Sequence, residues 1–259
     1  MTITHGNFDK LAKNYNKYRP EYSIEVLNSL LNMHKESKLI VADIGAGTGI
    51  WTRMLLKSKR IVRLYAVEPS ENMKQFGENH IENGSIEWSI GSAENSNLKS
   101  NSLDIVTMAS SFHWTNFELA TKEFHRILKN NGLFCALWNP RIIKESKLFL
   151  DIENKIIELN PKIQRVSSGK SEFVERITNN FKESKYFEEA KYIEGKHKLQ
   201  MTKDHYLGAW LSVNDIQHQL GSKFDIFINY IKERIKNEKV IDASYVTRAW
   251  VVKKKNHIA

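Results

Sequence analysis

The chain has 259 residues, 41% of them hydrophobic, which suits one globular domain with an elaboration, and no stretch approaches the roughly 18 consecutive apolar residues of a membrane span. Its net charge of +9 comes from dispersed lysines rather than a basic stripe, which disfavours a nucleic-acid partner, and its first residues contain no apolar signal core, so a cytoplasmic protein is expected. The lone Cys135 excludes an internal disulfide, and nine histidines without paired ligand spacing argue for no metal.

In chain order, apolar runs at Leu39–Ile44, Leu64–Val67, Leu103–Ala109 and Leu133–Trp138 predict strands, with a weaker alternating segment at Ser85–Ile90. A helix is expected from Trp51 to Leu56. Phe117, Ala120, Phe124, Ile127 and Leu128 mark another, with Asn130-Asn131-Gly132 as its stop. Runs that are apolar on both faces and joined by helices point to a parallel sheet covered on both sides. Past Trp138 the rhythm changes to amphipathic helices around Lys144–Leu159 and Ser171–Phe181, which read as a helical lid. Strand character returns at Ala190–Lys198 and Tyr245–Lys253, separated by one long helix carrying Ile216, Leu220, Phe227, Ile228, Ile231 and Ile235. The expected organisation is a single domain over residues 1–259. It divides into an N-terminal covering segment (1–22), a nucleotide-binding core (23–140), a lid and substrate insertion (141–222) and a C-terminal completion of the sheet (223–259).

The segment Asp43-Ile44-Gly45-Ala46-Gly47-Thr48-Gly49 follows a strand and precedes a helix, the context in which glycines let backbone approach a ligand. Its G-x-G-x-G spacing differs from the G-x-G-x-x-G of dinucleotide sites, and the preceding Asp43 would repel a diphosphate. A nucleoside without phosphates is therefore expected, with Asp43 orienting loop amides or meeting an ammonium group. Glu68, at the tip of the second strand, is placed to accept both ribose hydroxyls.

These segments resemble the class I S-adenosylmethionine-dependent methyltransferases, within them small-molecule members similar to trans-aconitate methyltransferase. Asp43–Gly49 is similar to their first motif and Val67-Glu68-Pro69-Ser70 to their second. Gly91-Ser92-Ala93-Glu94 resembles the adenine-contacting G-D-A-E, with Ser92 in place of the usual aspartate, and Arg126–Gly132 resembles R-V-L-K-P-G-G, with Asn130-Asn131 in place of Pro-Gly. The resemblance implies a Rossmann-like, doubly wound α/β fold, with a seven-stranded, mostly parallel sheet, an antiparallel last strand and a helical lid insertion. It also implies S-adenosyl-L-methionine as cofactor and S-adenosyl-L-homocysteine as product. Gly45, Ala46, Gly47, Thr48, Gly49, Glu68, Pro69, Met73, Ser92, Ala93, Glu94, Ala109 and Ser110 would hold the cofactor, together with Asp43. Tyr15-Asn16-Lys17-Tyr18-Arg19-Pro20 is similar to a family segment that covers the cofactor, where Arg19 suits the methionyl carboxylate and Tyr15 or Tyr18 the sulfonium.

Methyl transfer from a sulfonium is limited mainly by alignment and desolvation, so positioning residues should outnumber acids and bases. His113 is the candidate catalytic residue, as a base or as a wall of the pocket. Tyr15, His113, Trp114, Trp138 and Trp210 are the candidate substrate contacts; Trp210 equally suits the core. The expected reaction is in-line methylation of an oxygen or nitrogen on a small-molecule acceptor, by a monomer or homodimer. The alternatives are a tRNA or RNA methyltransferase on the same fold and a noncatalytic S-adenosylmethionine-binding protein. An NAD-dependent oxidoreductase is opposed by the glycine spacing.

Overall fold

The computed structural model describes residues 16–80, 86–164 and 171–257. Strands β1 (Leu39–Ile44), β2 (Ile61–Glu68), β3 (Ile86–Ile90), β4 (Leu103–Ala109), β5 (Leu128–Trp138), β6 (Lys191–Met201) and β7 (Ile241–Lys253) form one seven-stranded sheet. Their order is β3-β2-β1-β4-β5-β7-β6. The last strand, β7, runs antiparallel to both neighbours, while β1 to β5 pair parallel. This is the doubly wound, Rossmann-like arrangement implied by the resemblance, and its order reverses between β1 and β4.

Helix α1 (Ile24–Asn32) precedes β1, while α2 (Ile50–Leu55) joins β1 to β2, α3 (Glu71–Asn79) joins β2 to β3 and α4 (Phe117–Ile127) joins β4 to β5. On α4, Ala120, Phe124 and Ile127 recur at helical spacing and pack with Phe134, Phe181 and Trp250 over one sheet face. The opposite face is covered by Val26, Leu27 and Leu30 of α1 with Trp51 and Met54 of α2. Both faces of β1 and β4 are thus covered, which accounts for their largely apolar sequences, interrupted by Asp43 in β1 and by Asp104 and Thr107 in β4. A third cluster joins α5 (Lys147–Leu159), α7 (Lys203–Leu211), α8 (Asn214–Leu220) and α9 (Phe224–Ile235) to the ends of β6 and β7. Helix α6 (Ser171–Lys182) instead packs on the sheet, through Phe173, Ile177 and Phe181. No helix among the described residues is long and apolar enough to cross a membrane.

The fold differs from the sequence expectation in three places. The stop after α4 is not at Asn130-Asn131-Gly132: the helix ends at Ile127, and Leu128 already pairs with Leu103 at the start of β5. The three residues instead form an irregularity within β5, where Asn131 takes the left-handed conformation (φ 64°), a region open to asparagine. The single long helix is α8 and α9, broken at Gly221, whose φ of 51° and ψ of −125° suit glycine alone. Finally, β2 starts three residues before Leu64, because Ile61 and Arg63 pair with Leu39 and Ile40, with Val62 at an irregularity between them, at a partly exposed strand end with no continuous apolar signal. The interval 141–222 contains α5 to α8 and also β6, a strand of the sheet itself.

Phe124 is fully buried, with its ring 4.6 Å from that of Phe134. Truncating it by Phe124→Ala should cost about 3–5 kcal/mol through lost burial and a cavity. Urea unfolding measures this, and a loss below about 1 kcal/mol would contradict a shared core beneath α4.

Candidate functional site

The carboxyl ends of β1, β2 and β4 converge on a glycine loop. Gly45, Gly47 and Gly49 all have positive φ (66°, 58° and 80°), and a Cβ at Gly45 would come within 2.8 Å of Ser111 Oγ. This loop is held by backbone and by one carboxylate. Gly45 N and Ala46 N donate to Val67 O at 2.8 and 3.1 Å, and Gly47 N donates to Glu68 Oε2 at 2.8 Å. The other carboxylate oxygen, Oε1, accepts from Ser70 N at 3.0 Å. Glu68 is thereby fixed at the tip of β2, and each of its oxygens has further acceptor capacity.

Asp43 sits differently. Fully buried beneath the loop, it accepts from Thr52 Oγ1 at 2.7 Å and from Thr107 Oγ1 at 3.3 Å. Burial pushes its carboxyl up to about 7, with Glu68 adding to the rise while the threonine hydroxyls oppose it. Its position ties β1, α2 and β4 together and lies outside the cavity wall.

Above the loop opens a cavity of about 780 Å³. Of the residues expected at the cofactor, Gly45, Ala46, Gly47, Thr48, Glu68, Pro69, Met73, Ser92, Ala93, Glu94, Ala109 and Ser110 line it, and so does Trp114. The rest of the wall comes from Tyr22, Ile50, Trp51, Ser70, Met108, Ser111 and Thr115. Sequence reasoning missed these seven as wall residues, although Ile50, Trp51, Ser70 and Ser111 adjoin the motifs and Tyr22 follows the tyrosine-rich segment by two residues. Tyr22 donates from its hydroxyl to Ser110 Oγ at 2.9 Å, and its ring meets that of Trp51 edge-on at 5.3 Å. Ser110 has a φ of 56°, an uncommon non-glycine conformation of the kind that clusters at functional sites, and Ser110 N donates to Leu137 O at 2.7 Å.

The remaining expected residues lie elsewhere. Gly49 caps α2. Tyr15 falls outside the described residues. Tyr18 packs on Gly208 of α7, where a Cβ would come within 2.4 Å of its ring, and Arg19 Nη2 donates to Ser212 O at 3.3 Å. At the other end of this segment, Arg53 donates both to Asn16 Oδ1 and to Thr48 O at 2.9 Å. Residues 16–23 therefore form a strap from the glycine loop to α7. Trp210 is buried in the third cluster, its ring edge-on to Phe227.

His113 lies in a single helical turn (Phe112–Trp114) behind the cavity wall, 4.7 Å between its ring and that of Trp114. The indole of Trp138, which has only a hydrogen to give, donates to His113 Nδ1 at 3.1 Å. Nδ1 must then carry a lone pair, which puts the proton of the neutral ring on Nε2. Burial holds its pKa down to about 4, and the charge of Arg176 adds to the effect. Among the described residues no group of three His, Cys, Asp or Glu side chains could hold a metal.

The family model described as a methyltransferase domain matches residues 42–136, the stretch from β1 to β5. A Dictyostelium discoideum protein named as a methyltransferase is 33% identical over 138 residues, covering 53% of this chain and 50% of its own length. A Saccharomyces cerevisiae protein named for S-adenosylmethionine-dependent methyl transfer is 27% identical over 137 residues, covering 51% of this chain and 45% of its own length. The chain thus spans about half the length of these curated relatives. Among solved structures, a type II methyltransferase from Anaeromyxobacter dehalogenans superposes with a TM-score of 0.71 at 16% identity, over 90% of this chain and 97% of that one. Residues 42–136 are thus similar in sequence to methyltransferase domains, and the chain shares its fold with a solved methyltransferase structure.

The folded His113 binds a proton more weakly than an unfolded histidine of pKa about 6.5. Its contribution to stability is therefore complete above that value and falls as pH drops toward about 4. Nitrogen NMR should find Nδ1 unprotonated and Nε2 protonated throughout roughly pH 5.5–8. A His113 ring titrating near 6.5 would contradict the Trp138 contact.

Proposed function

We propose that the protein transfers a methyl group from S-adenosyl-L-methionine to an oxygen or nitrogen of a small-molecule acceptor, releasing S-adenosyl-L-homocysteine. The observation that carries the reading is Glu68, fixed by two amide donors at the tip of β2 on the wall of a cavity about 780 Å³ in volume. That volume lies in the range of small-molecule sites. A carboxylate there can accept both hydroxyls of a ribose, and the positive-φ glycines keep side chains out of the floor.

The cofactor supplies, when bound, a methyl group already activated on a sulfonium. What remains for the chain is to orient and to exclude water. In this reading Ser92, Ala93 and Glu94 border the adenine, and Ala109 and Ser110 the methionyl end. Tyr22, Trp51, Met108 and Trp114 give that end an apolar and aromatic wall, and the first two rings suit a cation by their π faces. On the acceptor side, Trp114 faces the cavity with His113 behind it. Because His113 Nδ1 is engaged by Trp138, His113 serves as a neutral, fixed part of the wall, and the proton released on methylation passes to solvent or to another group of the acceptor site.

Titration calorimetry with S-adenosylmethionine, S-adenosylhomocysteine and NAD tests the donor site. Binding of the first two in the micromolar range, with NAD silent, is expected. Glu68→Ala removes charge-assisted hydrogen bonds valued at about 1.5–3 kcal/mol and should weaken both ligands by roughly 10- to 100-fold. His113→Ala should change them by less than about threefold, since it leaves the cavity floor intact. Equal affinity in wild type and Glu68→Ala would defeat the ribose assignment, and silence of both sulfur ligands would defeat the methyltransferase reading.

A further inference from the structure

The loop that follows β3 borders the cavity through Ser92, Ala93 and Glu94. It is held at both ends. A Cβ on Gly91 would come within 2.8 Å of Val67 Cγ1 and 3.0 Å of Ser96 O, so the loop leaves the sheet in close contact with β2. Ser96, fully buried, donates from its amide to Glu123 Oε1 of α4 at 3.0 Å, and its hydroxyl donates to the same oxygen. Between these anchors Ser92 N donates to Asn95 O at 2.9 Å. Side chains on a loop fixed in this way present their polar atoms to the cavity already oriented.

Ser92 stands where the G-D-A-E of the resembled methyltransferases has its aspartate. Its Oγ accepts from Glu94 N and from Asn95 N, each at 3.2 Å. A hydroxyl has two lone pairs and one hydrogen, so these two amides use its acceptor capacity and leave it a donor. The 6-amino group of adenine is itself a donor, while the ring nitrogens are acceptors. Ser92 therefore suits a ring nitrogen and has nothing to offer the amino group.

Two carboxylates line the cavity, and they are differently engaged. Glu68 meets backbone amides with both oxygens and is the residue assigned to the ribose. Glu94, half-buried two residues past Ser92, accepts from Asn116 N at 2.9 Å through Oε1. Its Oε2 takes no hydrogen bond among the described residues. Asn116 caps α4 and follows Trp114 and Thr115 of the cavity wall. One oxygen thus braces the carboxylate against that wall, and the other is left for a ligand. A carboxylate accepts hydrogen bonds and cannot donate them.

We propose that Glu94 Oε2 accepts a hydrogen bond from the 6-amino group of the cofactor's adenine, two residues along the loop from the position of the aspartate, and that the Ser92 hydroxyl donates to a ring nitrogen. The assignment rests on the methyltransferase reading. It makes Glu94 the residue that separates adenine from a 6-oxopurine. Oxygen at carbon 6 sets lone pair against lone pair, and a site built to hydrogen-bond one group rejects an analogue that leaves its own polar atom unpaired. Because Oε1 of the same carboxylate holds Asn116 N, the base and the turn carrying Trp114 share one anchor.

Calorimetry on the full chain with three ligands tests this: S-adenosylhomocysteine, S-inosylhomocysteine, which carries oxygen at carbon 6, and the analogue with hydrogen there. Wild type should bind the first at least about 10-fold tighter than the hydrogen analogue and about 100-fold tighter than the oxo analogue. Glu94→Gln keeps an oxygen for Asn116 N and turns an N–H donor toward the ligand. Its preference for the amino over the oxo ligand should fall at least about tenfold, a change of ratio that a merely structural role would not produce. In wild type the carboxyl carbon-13 resonance of Glu94 should shift with S-adenosylhomocysteine and not with the hydrogen analogue, and this readout decides if Glu94→Gln does not fold. Equal binding of the three ligands by wild type, an unchanged ratio in Glu94→Gln, or a Glu94 resonance indifferent to the amino group would each overturn the proposal, while binding of S-adenosylhomocysteine would leave the methyltransferase reading standing. Silence of S-adenosylhomocysteine with wild type would instead remove both.

Discussion

The site depends on one carboxylate accepting backbone hydrogen bonds. A loop built on Gly45, Gly47 and Gly49 has few side chains with which to hold its shape, so its conformation is set by what its amides meet. Val67 O and Glu68 Oε2 take the donors of Gly45, Ala46 and Gly47, and Glu68 Oε1 takes that of Ser70 at the start of α3. One side chain at the end of β2 therefore fixes the loop after β1 and the turn before α3 together, and the cavity is the space these two segments leave between them. The close approach of Gly45 to Ser111 extends the same constraint to the end of β4.

Two carboxylates at neighbouring strand ends thus take different parts because their surroundings differ. Glu68 meets amide hydrogens and borders an open cavity; Asp43 is enclosed among the Thr52 and Thr107 hydroxyls and the Thr52 backbone, and burial drives its carboxyl up to about 7. The first can face a ligand. The second spends its acceptors on Thr52 and Thr107, and supports the loop from below by joining α2 and β4 to β1.

The second half of the molecule is coupled to this centre through the strap rather than through the sheet alone. Asn16 reaches Arg53 beside the glycine loop, Tyr22 reaches Ser110 on the cavity wall, and Tyr18 and Arg19 reach α7 and the residue that follows it. The third hydrophobic cluster, with Arg141 among its rings, is thereby held against the edge at which the cavity above the glycine loop opens. Aromatic side chains from α5, α7 and β7 meet there although they are far apart in sequence.

Local sequence marked most of the half from β1 to β5. Strands buried on both faces are predominantly apolar, so Leu39–Ile44 and Leu103–Ala109 were legible to the residue, and the glycine loop and Glu68 were legible because their spacing is itself the geometry of a turn. Where pairing or conformation is decided by distant partners, the sequence was silent or misleading. Asn130-Asn131-Gly132 has the composition of a helix stop yet lies within a strand, because β4 captures Leu128 first. Gly221 breaks a helix that hydrophobic periodicity alone would continue. His113 beside Trp114 reads as a base or as a wall of the pocket, and only the fold brings Trp138, at the end of β5, to its Nδ1. Arg141 carried no signal at all, since one arginine between two loops is unremarked in a lysine-rich chain. Only the packing of α5 and α7 against β7 surrounds it with rings, and burial and partnership of that kind are properties of the assembled structure.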